Sequence, residues 1–240
     1  CIFGGQSSEY EVSLNSAYGV MNNTDTGKYN IIKVGITKEG QWFLYTGDNE
    51  SVRSGEWIND KNDLTPCFPC TGSRLCIPDR NEYISIGVCF PVVHGANCED
   101  GKLQGLLDMC GIKYVGPGCT SSSAAMDKDF TKKIALCAGI PVADFFTFIK
   151  GEMSENEMVS AVEEKFSFPV FVKPCNAGSS VGASKAKSKE ELLAYTVETE
   201  QGRGVFFLVF ESLEELCCKH GGLRKGVDGS YHRGQSETER

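Results

Sequence analysis

Lys173-Pro174 ends an apolar stretch, and five residues beyond Lys173 begins Gly178-Ser179-Ser180-Val181-Gly182, followed by Ser184 and Lys185. A cation at a strand end beside a loop of small residues suits a triphosphate. Glycines let backbone N–H groups approach phosphate oxygens, serine hydroxyls donate further hydrogen bonds, and an ammonium group supplies charge without a fixed geometry. No Gly-x-x-x-x-Gly-Lys-[Ser/Thr] run occurs, so the loop is not of Walker type. Alone, Gly178 to Gly182 reads as a flexible connector; its pairing with Lys173-Pro174 turns the reading toward a nucleotide. A second constellation, Gly4-Gly5-Gln6-Ser7-Ser8-Glu9-Tyr10-Glu11-Val12-Ser13, places a glycine turn, hydroxyls and carboxylates at a strand-to-helix transition. Two readings stay open there. Ser8 or Glu9 caps the helix, or Glu11, at the carboxyl edge of a parallel sheet, holds the ammonium group of a substrate. His94-Gly95 closes another apolar run, with Glu99-Asp100-Gly101 five to seven residues on. A histidine at the same sheet edge as Gly4-Gly5 reads as a ligand contact. Met126-Asp127-Lys128 falls in a helix, where a lysine is by default solvated.

These residues need elements to hold them. Cys1-Ile2-Phe3 is a strand end, and Glu11 to Asn23 predicts a helix with Val12, Ala17, Val20 and Met21 on one face. Tyr29 to Ile36 and Gln41 to Tyr45 predict a hairpin through Lys38-Glu39-Gly40. Residues 46 to 83 carry polar, Gly and Pro punctuation without a readable pattern. Ile84 to Val93 reads as one strand buried on both faces of a parallel sheet. A helix with Leu103, Leu106, Leu107 and Cys110 follows, then a short strand Lys113-Tyr114-Val115. Strand-helix-strand order makes residues 1–120 a doubly wound, Rossmann-like domain. From 121 the pattern restarts: a helix from Ser121 to Ala138, a strand from Asp144 to Ile149, a helix opened by the capping box Ser154 with Glu157, a strand from Phe168 to Val172, and a helix capped by Ser188 with Glu191. Residues 121–212 are expected to form a second, α+β domain, and 213–240 a tail with no fold signal.

Composition limits the partners. The chain has 240 residues, 40% hydrophobic and 23% charged, with a net charge of −8. This argues against nucleic acid and against an anionic membrane surface, since both need a clustered positive field. No apolar run approaches the roughly 18 residues of a membrane span, and the expected location is the cytoplasm. Twelve cysteines fall below the density of about 8–10% that marks a disulfide scaffold, so they read as reduced thiols. Cys67-Phe68-Pro69-Cys70 with Cys76 is a metal-like spacing without a second pair or a nearby histidine, and Cys217, Cys218 and His220 form a weaker cluster. No metal site is assigned.

Together, Gly4-Gly5-x-Ser7-x-Glu9-x-Glu11-Val12-Ser13-Leu14, His94-Gly95 leading to Glu99-Asp100-Gly101-x-Leu103-Gln104-Gly105, Met126-Asp127-Lys128, and Lys173-Pro174 with Gly178-Ser179-Ser180-Val181-Gly182 resemble the D-alanine–D-alanine ligases of the ATP-grasp superfamily. The resemblance runs from Cys1 to about Thr199, and the 29–47 segment is similar to the D-alanine–D-serine ligases of vancomycin resistance. It implies that ATP phosphorylates the carboxylate of a first D-alanine and that a second D-amino acid attacks the acyl phosphate, giving the dipeptide of peptidoglycan. By position, Glu11 would hold the first ammonium group and His94 would lie near the first carboxylate. Ser179 and the loop Gly178, Ser180, Val181 and Gly182 would cover the γ-phosphate, while Lys128 and Lys173 would contact the ATP phosphates with Mg²⁺ between them. The family is commonly dimeric through its first domain. Its last third supplies the Mg²⁺ ligands, an arginine and the pocket for the second amino acid, and Gln201 to Arg240 does not resemble it, although Glu211 stands where an adenine-contacting acid would. The start at Cys1 and this tail lead to the expectation of a truncated or frameshifted fragment without turnover. The rival reading of another class is a non-catalytic nucleotide-binding remnant. Biotin-carboxylase-like and glutathione-synthase-like ligases lack the set Glu11, His94 and Glu99-Asp100-Gly101.

Overall fold

The computed structural model describes residues 1–149, 151–176 and 182–198 and the strands Val205–Leu208, Arg224–Lys225 and Tyr231–His232, with side chains as far as residue 196. The chain divides into two units, Cys1–Met126 and Asp127–Arg240.

In the first unit, strand β1 (Ile2–Gly4) is buried along its whole length because both faces of its sheet are covered. It runs parallel to β2 (Lys33–Ile36), which forms a hairpin with β3 (Trp42–Tyr45). Gly40 at φ +86° makes that turn, and Thr37 Oγ1 accepts from the N–H groups of Glu39 and Gln41, both at 3.2 Å. On one side of the sheet lies α1 (Tyr10–Asn23), whose Tyr10, Leu14, Ala17 and Met21 recur at helical spacing and are buried with Phe3 and Tyr45. The predicted helix is present, but Val12 faces outward at 54% exposure, because the buried stripe passes through Leu14 instead. Helix α2 (Asn49–Ser54) follows, capped by Asp48, which accepts from Ser51 N at 2.8 Å. Next in chain order, Trp57 is fully buried, edge-on to Phe3 at 5.0 Å, and its Nε1 donates to Tyr10 Oη at 2.9 Å. Gly35 admits that ring, since any Cβ there would overlap it.

The segment 46–83, unreadable in sequence, also holds β4 (Leu64–Pro66) on the edge of the main sheet and the antiparallel strands β5 (Phe68–Cys70), β6 (Arg74–Ile77) and β7 (Glu82–Ser85). The single buried strand expected over Ile84 to Val93 is corrected. Its start belongs to β7, the run changes partner at Gly87-Val88, and beyond it Pro91 bridges to Ile2 of the main sheet while Cys89 bridges to Tyr114. Pro91 lacks an N–H to extend a ladder, and Val88 and Phe90 are exposed. The expected strand at Lys113-Tyr114-Val115 reduces to that one bridge at Tyr114. Helix α3 (Lys102–Cys110) buries Leu103, Gln104, Leu107 and Cys110 against the second face of the sheet, while Leu106 is exposed. Helix α4 (Cys119–Met126) ends the unit.

The helix expected from Ser121 to Ala138 is two helices. Asp127 breaks it in an extended conformation and caps α5 (Lys128–Cys137), accepting from Asp129 N at 2.9 Å and Phe130 N at 3.1 Å. The second unit is built on an antiparallel sheet of order β10-β9-β11-β8, comprising β8 (Phe145–Phe148), β9 (Val170–Pro174), β10 (Ser184–Ala186) and β11 (Val205–Leu208). Helix α6 (Glu155–Lys165) opens with the anticipated capping box of Ser154 and Glu157, and α7 (Lys189–Glu198) follows β10. Phe148, Met158, Val162, Val170, Val172 and Leu192 pack one face of the sheet against these helices. The opposite face carries Thr147 and Lys173 at one level, Phe145 and Phe171 at the next, and Lys185 beside Phe171. Strands β12 (Arg224–Lys225) and β13 (Tyr231–His232) pair with each other.

Candidate functional site

The carboxyl edge of the first unit's sheet gathers most of the Gly4-to-Ser13 constellation. Gly4 and Gly5 turn the chain at φ +83° and +110°. Gly4 N donates to Ser13 Oγ at 2.8 Å, and Ser13 Oγ donates onward to the carbonyl of Val92, fastening the start of α1 to the strand end that precedes His94. Gly95, at φ +75°, lies under Ser7 and Glu9: a Cβ there would stand 2.6 Å from Ser7 Oγ and 2.7 Å from Glu9 Oε2. Glu99 folds back over the turn, accepting from Gly95 N at 2.7 Å and lying 3.6 Å from His94 Nδ1, while His94 Nε2 lies 3.4 Å from Ser16 Oγ. Asn97 Nδ2 donates to the carbonyl of Gln6 at 3.2 Å, linking the two glycine turns directly.

Glu11 sits exposed in the first turn of α1, and its carboxylate accepts from Lys38 Nζ in the β2–β3 turn, the chief reason its pKa is held below the usual carboxylate range. Neither Ser8 nor Glu9 makes a side-chain cap on α1, so the capping alternative for them falls away; Ser7 Oγ accepts from Glu9 N at 3.1 Å instead. Under the turn, burial pushes the Cys98 thiol up to about 12, with Asp100, Glu99 and Glu9 adding to the rise. The edge is thus acidic and lined with hydroxyls, an environment suited to an ammonium group. Ser16 and Lys38 were not singled out in the sequence. Lys38 lies 27 residues from Glu11, and no local spacing announces the pair.

In the second unit, Lys128 stands at the start of α5, against the end of β9. Its N–H donates to Cys175 O at 3.0 Å and its Nζ to Pro174 O at 3.0 Å. Burial, with Lys173 beside it, holds its ammonium below the usual lysine value. One helical turn on, Lys132 Nζ donates to Ala143 O at 2.8 Å and lies 5.3 Å from the centre of the Phe145 ring. Burial pushes Lys132 down to about 8, with Lys173 adding to the effect and Asp144 opposing it. Lys173 and Lys185 both approach the ring of Phe171, at 5.8 and 5.7 Å. This face of the sheet therefore carries three ammonium groups over aromatic rings, with that of Lys128 at the end of β9, a surface suited to phosphates and a flat base. The sequence held a signal for Lys132, the i, i+4 spacing from Lys128. Gly178, Ser179, Ser180 and Val181 lie outside the described residues, as do Glu211, Cys217, Cys218 and His220. Gly182 is exposed at φ +68°. Among the described residues no group of three or more His, Cys, Asp or Glu side chains could hold a metal ion, Cys67, Cys70 and Cys76 included.

Two family models match, one within each unit: the D-ala D-ala ligase N-terminus over residues 1–117 and the D-ala D-ala ligase C-terminus over residues 134–207. The chain belongs to the D-alanine–D-alanine ligase family. Among named members, the D-alanine–D-alanine ligase of Caldicellulosiruptor bescii is 47% identical over 196 residues, covering 80% of this chain and 54% of that protein. The ligase of Acetivibrio thermocellus is 43% identical over 208 residues, covering 80% and 55%. The fold is that of the solved ligases. The VanG D-Ala:D-Ser ligase of Enterococcus faecalis superposes with a TM-score of 0.80 at 38% identity, over 88% of this chain and 62% of its own. The D-alanine–D-alanine ligase of Coxiella burnetii gives 0.78 at 29%, over 87% and 62%. The chain spans about half the length of the curated relatives it matches. The second family match runs through β11, beyond Thr199.

Proposed function

We propose that this chain carries the D-amino-acid-activating chemistry of its family, with ATP as the phosphoryl donor. The contrast in charge between the two half-sites carries the reading. Glu9, Glu11, Glu99 and Asp100 crowd the sheet edge of the first unit, whereas Lys132, Lys173 and Lys185 line the open face of the second, with Lys128 at the end of β9. An amino acid that must be held by its ammonium group and a triphosphate that must be held by its oxygens require these opposite surroundings.

In this reading Glu11 exchanges the ammonium of Lys38 for that of the first D-alanine, and His94, oriented by Glu99 and Ser16, lies beside the substrate carboxylate. Lys128 and Lys173 hold the phosphates of ATP. Ser179 and the backbone of Gly178, Ser180, Val181 and Gly182 cover the γ-phosphate and keep water from the product. A carboxylate oxygen attacks the γ-phosphorus, and ADP leaves. The amino group of a second D-amino acid then attacks the acyl carbon, forming the amide bond as inorganic phosphate departs and the amine gives up its proton. The family's chemistry employs Mg²⁺ to balance the phosphate charge; the described residues offer no ligand set for it.

A second reading, D-serine as the attacking amino acid, rests on the likeness to the D-Ala:D-Ser ligase at 38% identity, whereas the 47% identity to the Caldicellulosiruptor bescii ligase favours D-alanine. The test is ADP release by the chain in ATP and Mg²⁺, with and without D-alanine, then with D-serine added. The expected result is release that requires D-alanine and disappears in Glu11→Ala. A mixed dipeptide formed in preference to the D-alanine dimer selects the second reading. ATP binding without turnover contradicts both and leaves a nucleotide-binding remnant.

A further inference from the structure

We infer that Asp127 and Asn176 are positioning residues for the phosphate-binding end of the second unit: they lock the first turn of α5 to the root of the glycine-rich segment, and so set where Lys128 stands. The inference rests on the ligase reading above. Asp127 is 3% exposed. Its Oδ1 accepts from Asp129 N at 2.9 Å and Phe130 N at 3.1 Å, the ordinary task of a helix cap. Its Oδ2 points out of the helix and accepts from Asn176 Nδ2 at 3.1 Å. Two more hydrogen bonds cross the same seam, from Lys128 N to Cys175 O and from Lys128 Nζ to Pro174 O, each 3.0 Å.

A buried carboxylate must be satisfied by hydrogen bonds, and those it accepts are charge-assisted. Capping α5 requires only Oδ1. The use of Oδ2 on Asn176 ties the helix to a residue two positions beyond the strand bearing Lys173 and two before Gly178 in sequence. Loss of this link leaves the two Lys128 hydrogen bonds to hold the seam, so the spacing between the cations of Lys128 and Lys173 is fixed less tightly. Both side chains act through the lysines and the loop root, not by touching a phosphate.

The test uses the full chain and four variants: Asn176→Ala, Asp127→Asn, Asn176→Asp and the exchange Asp127→Asn/Asn176→Asp. Four quantities are read: the Kd for ATP with Mg²⁺, the Kd for D-alanine, the melting temperature, and amide hydrogen exchange over 126–132 and 174–184 without nucleotide. Asn176→Ala is expected to raise the ATP Kd about five- to tenfold, the loss of one charge-assisted hydrogen bond, with D-alanine binding unchanged. Exchange across 174–184 should quicken by a similar factor. Asn176→Asp, which sets two carboxylates against each other, should be worse, and the exchange variant should return the ATP Kd to within about twofold of wild type. A purely structural cap would lower the melting temperature in proportion across the variants and leave the ATP Kd alone; that pattern overturns the inference, as does failure of the exchange variant to rescue. If the wild-type chain does not bind ATP, the ligase reading fails by itself. Exchange then decides the joint: faster exchange in Asn176→Ala supports it, and unchanged exchange overturns it.

Discussion

Alanine at Gly4 and alanine at Gly95 should differ in severity, and the difference follows from what each new methyl group would meet. Both glycines have positive φ, +83° and +75°, where an L-residue loses roughly 1–2 kcal/mol. At Gly4 the Cβ would overlap the carbonyl oxygen of Ile36 and lie 3.0 Å from the Tyr10 ring. That oxygen is backbone, held in the parallel pair of β1 and β2 and accepting from Gly5 N at 2.8 Å. Relief requires opening the ladder and stranding a buried polar group, about 1–3 kcal/mol more, for a total of about 2–5 kcal/mol. At Gly95 the obstructing atoms are Ser7 Oγ and Glu9 Oε2, ends of side chains that can rotate away, so the loss stays near the backbone value of about 1–2 kcal/mol. Both tryptophans lie in the first unit, so tryptophan fluorescence follows its unfolding. At on the order of 4 °C per kcal/mol, the melting temperature should fall by about 8–20 °C in Gly4→Ala and about 4–8 °C in Gly95→Ala. Gly95→Ala should nonetheless weaken D-alanine binding beyond its effect on stability, because it displaces Ser7 and Glu9 from the His94 edge. A Gly95→Ala protein that melts below Gly4→Ala, or that binds D-alanine as wild type does, refutes the reasoning.

Lys132 gives a pH signature. The unfolded chain keeps this proton up to the ordinary value of 10.5, whereas burial pulls the folded group down to about 8. Between those values the unfolded state binds more protons, so this group makes stability rise with pH across the window, its penalty being complete below about 8. Urea unfolding of wild type and Lys132→Met from pH 7 to 10.5 should show a steeper rise in the wild type than in the variant, and parallel profiles contradict the assignment. Trp57→Ala, which empties the space beneath Gly35 and strands the Tyr10 hydroxyl, should lower the stability of the first unit by about 3–5 kcal/mol in urea unfolding. Ser154→Ala removes half of the capping box on α6 and should lower stability by about 0.5–2 kcal/mol, read by circular dichroism of urea-unfolded samples.

Local chemistry was legible in the sequence wherever one residue type serves one conformation. The glycine turn at Gly4-Gly5, the β2–β3 hairpin and the Ser154 capping box each announce themselves within a few residues. Two failures share a cause. The apolar run Ile84 to Val93 and the helical run Ser121 to Ala138 are continuous in pattern but interrupted by tertiary partners. Gly87 and Pro91 hand the first run from one sheet to another, and Asp127 ends one helix to cap the next. Hydrophobic periodicity records burial, not which neighbour does the burying. In the candidate site, Glu11, His94 and Lys173 were readable as residue types at element ends, whereas Lys128 was read inside a continuous helix and gained a role only from the family resemblance. Lys38 against Glu11, Ser16 against His94 and Asn176 against Asp127 are contacts between residues distant in sequence, and only the folded chain brings them together.

The most direct test of the account is equilibrium binding of D-alanine and of ATP with Mg²⁺ to the wild-type chain, Glu11→Ala and Lys173→Ala, each verified as folded by circular dichroism. The assignment of the ammonium site to the first unit and the phosphate site to the second predicts a crossed pattern. Glu11→Ala loses D-alanine and keeps ATP, whereas Lys173→Ala loses ATP and keeps D-alanine. Equal loss of both ligands in either variant, or of neither in both, contradicts it.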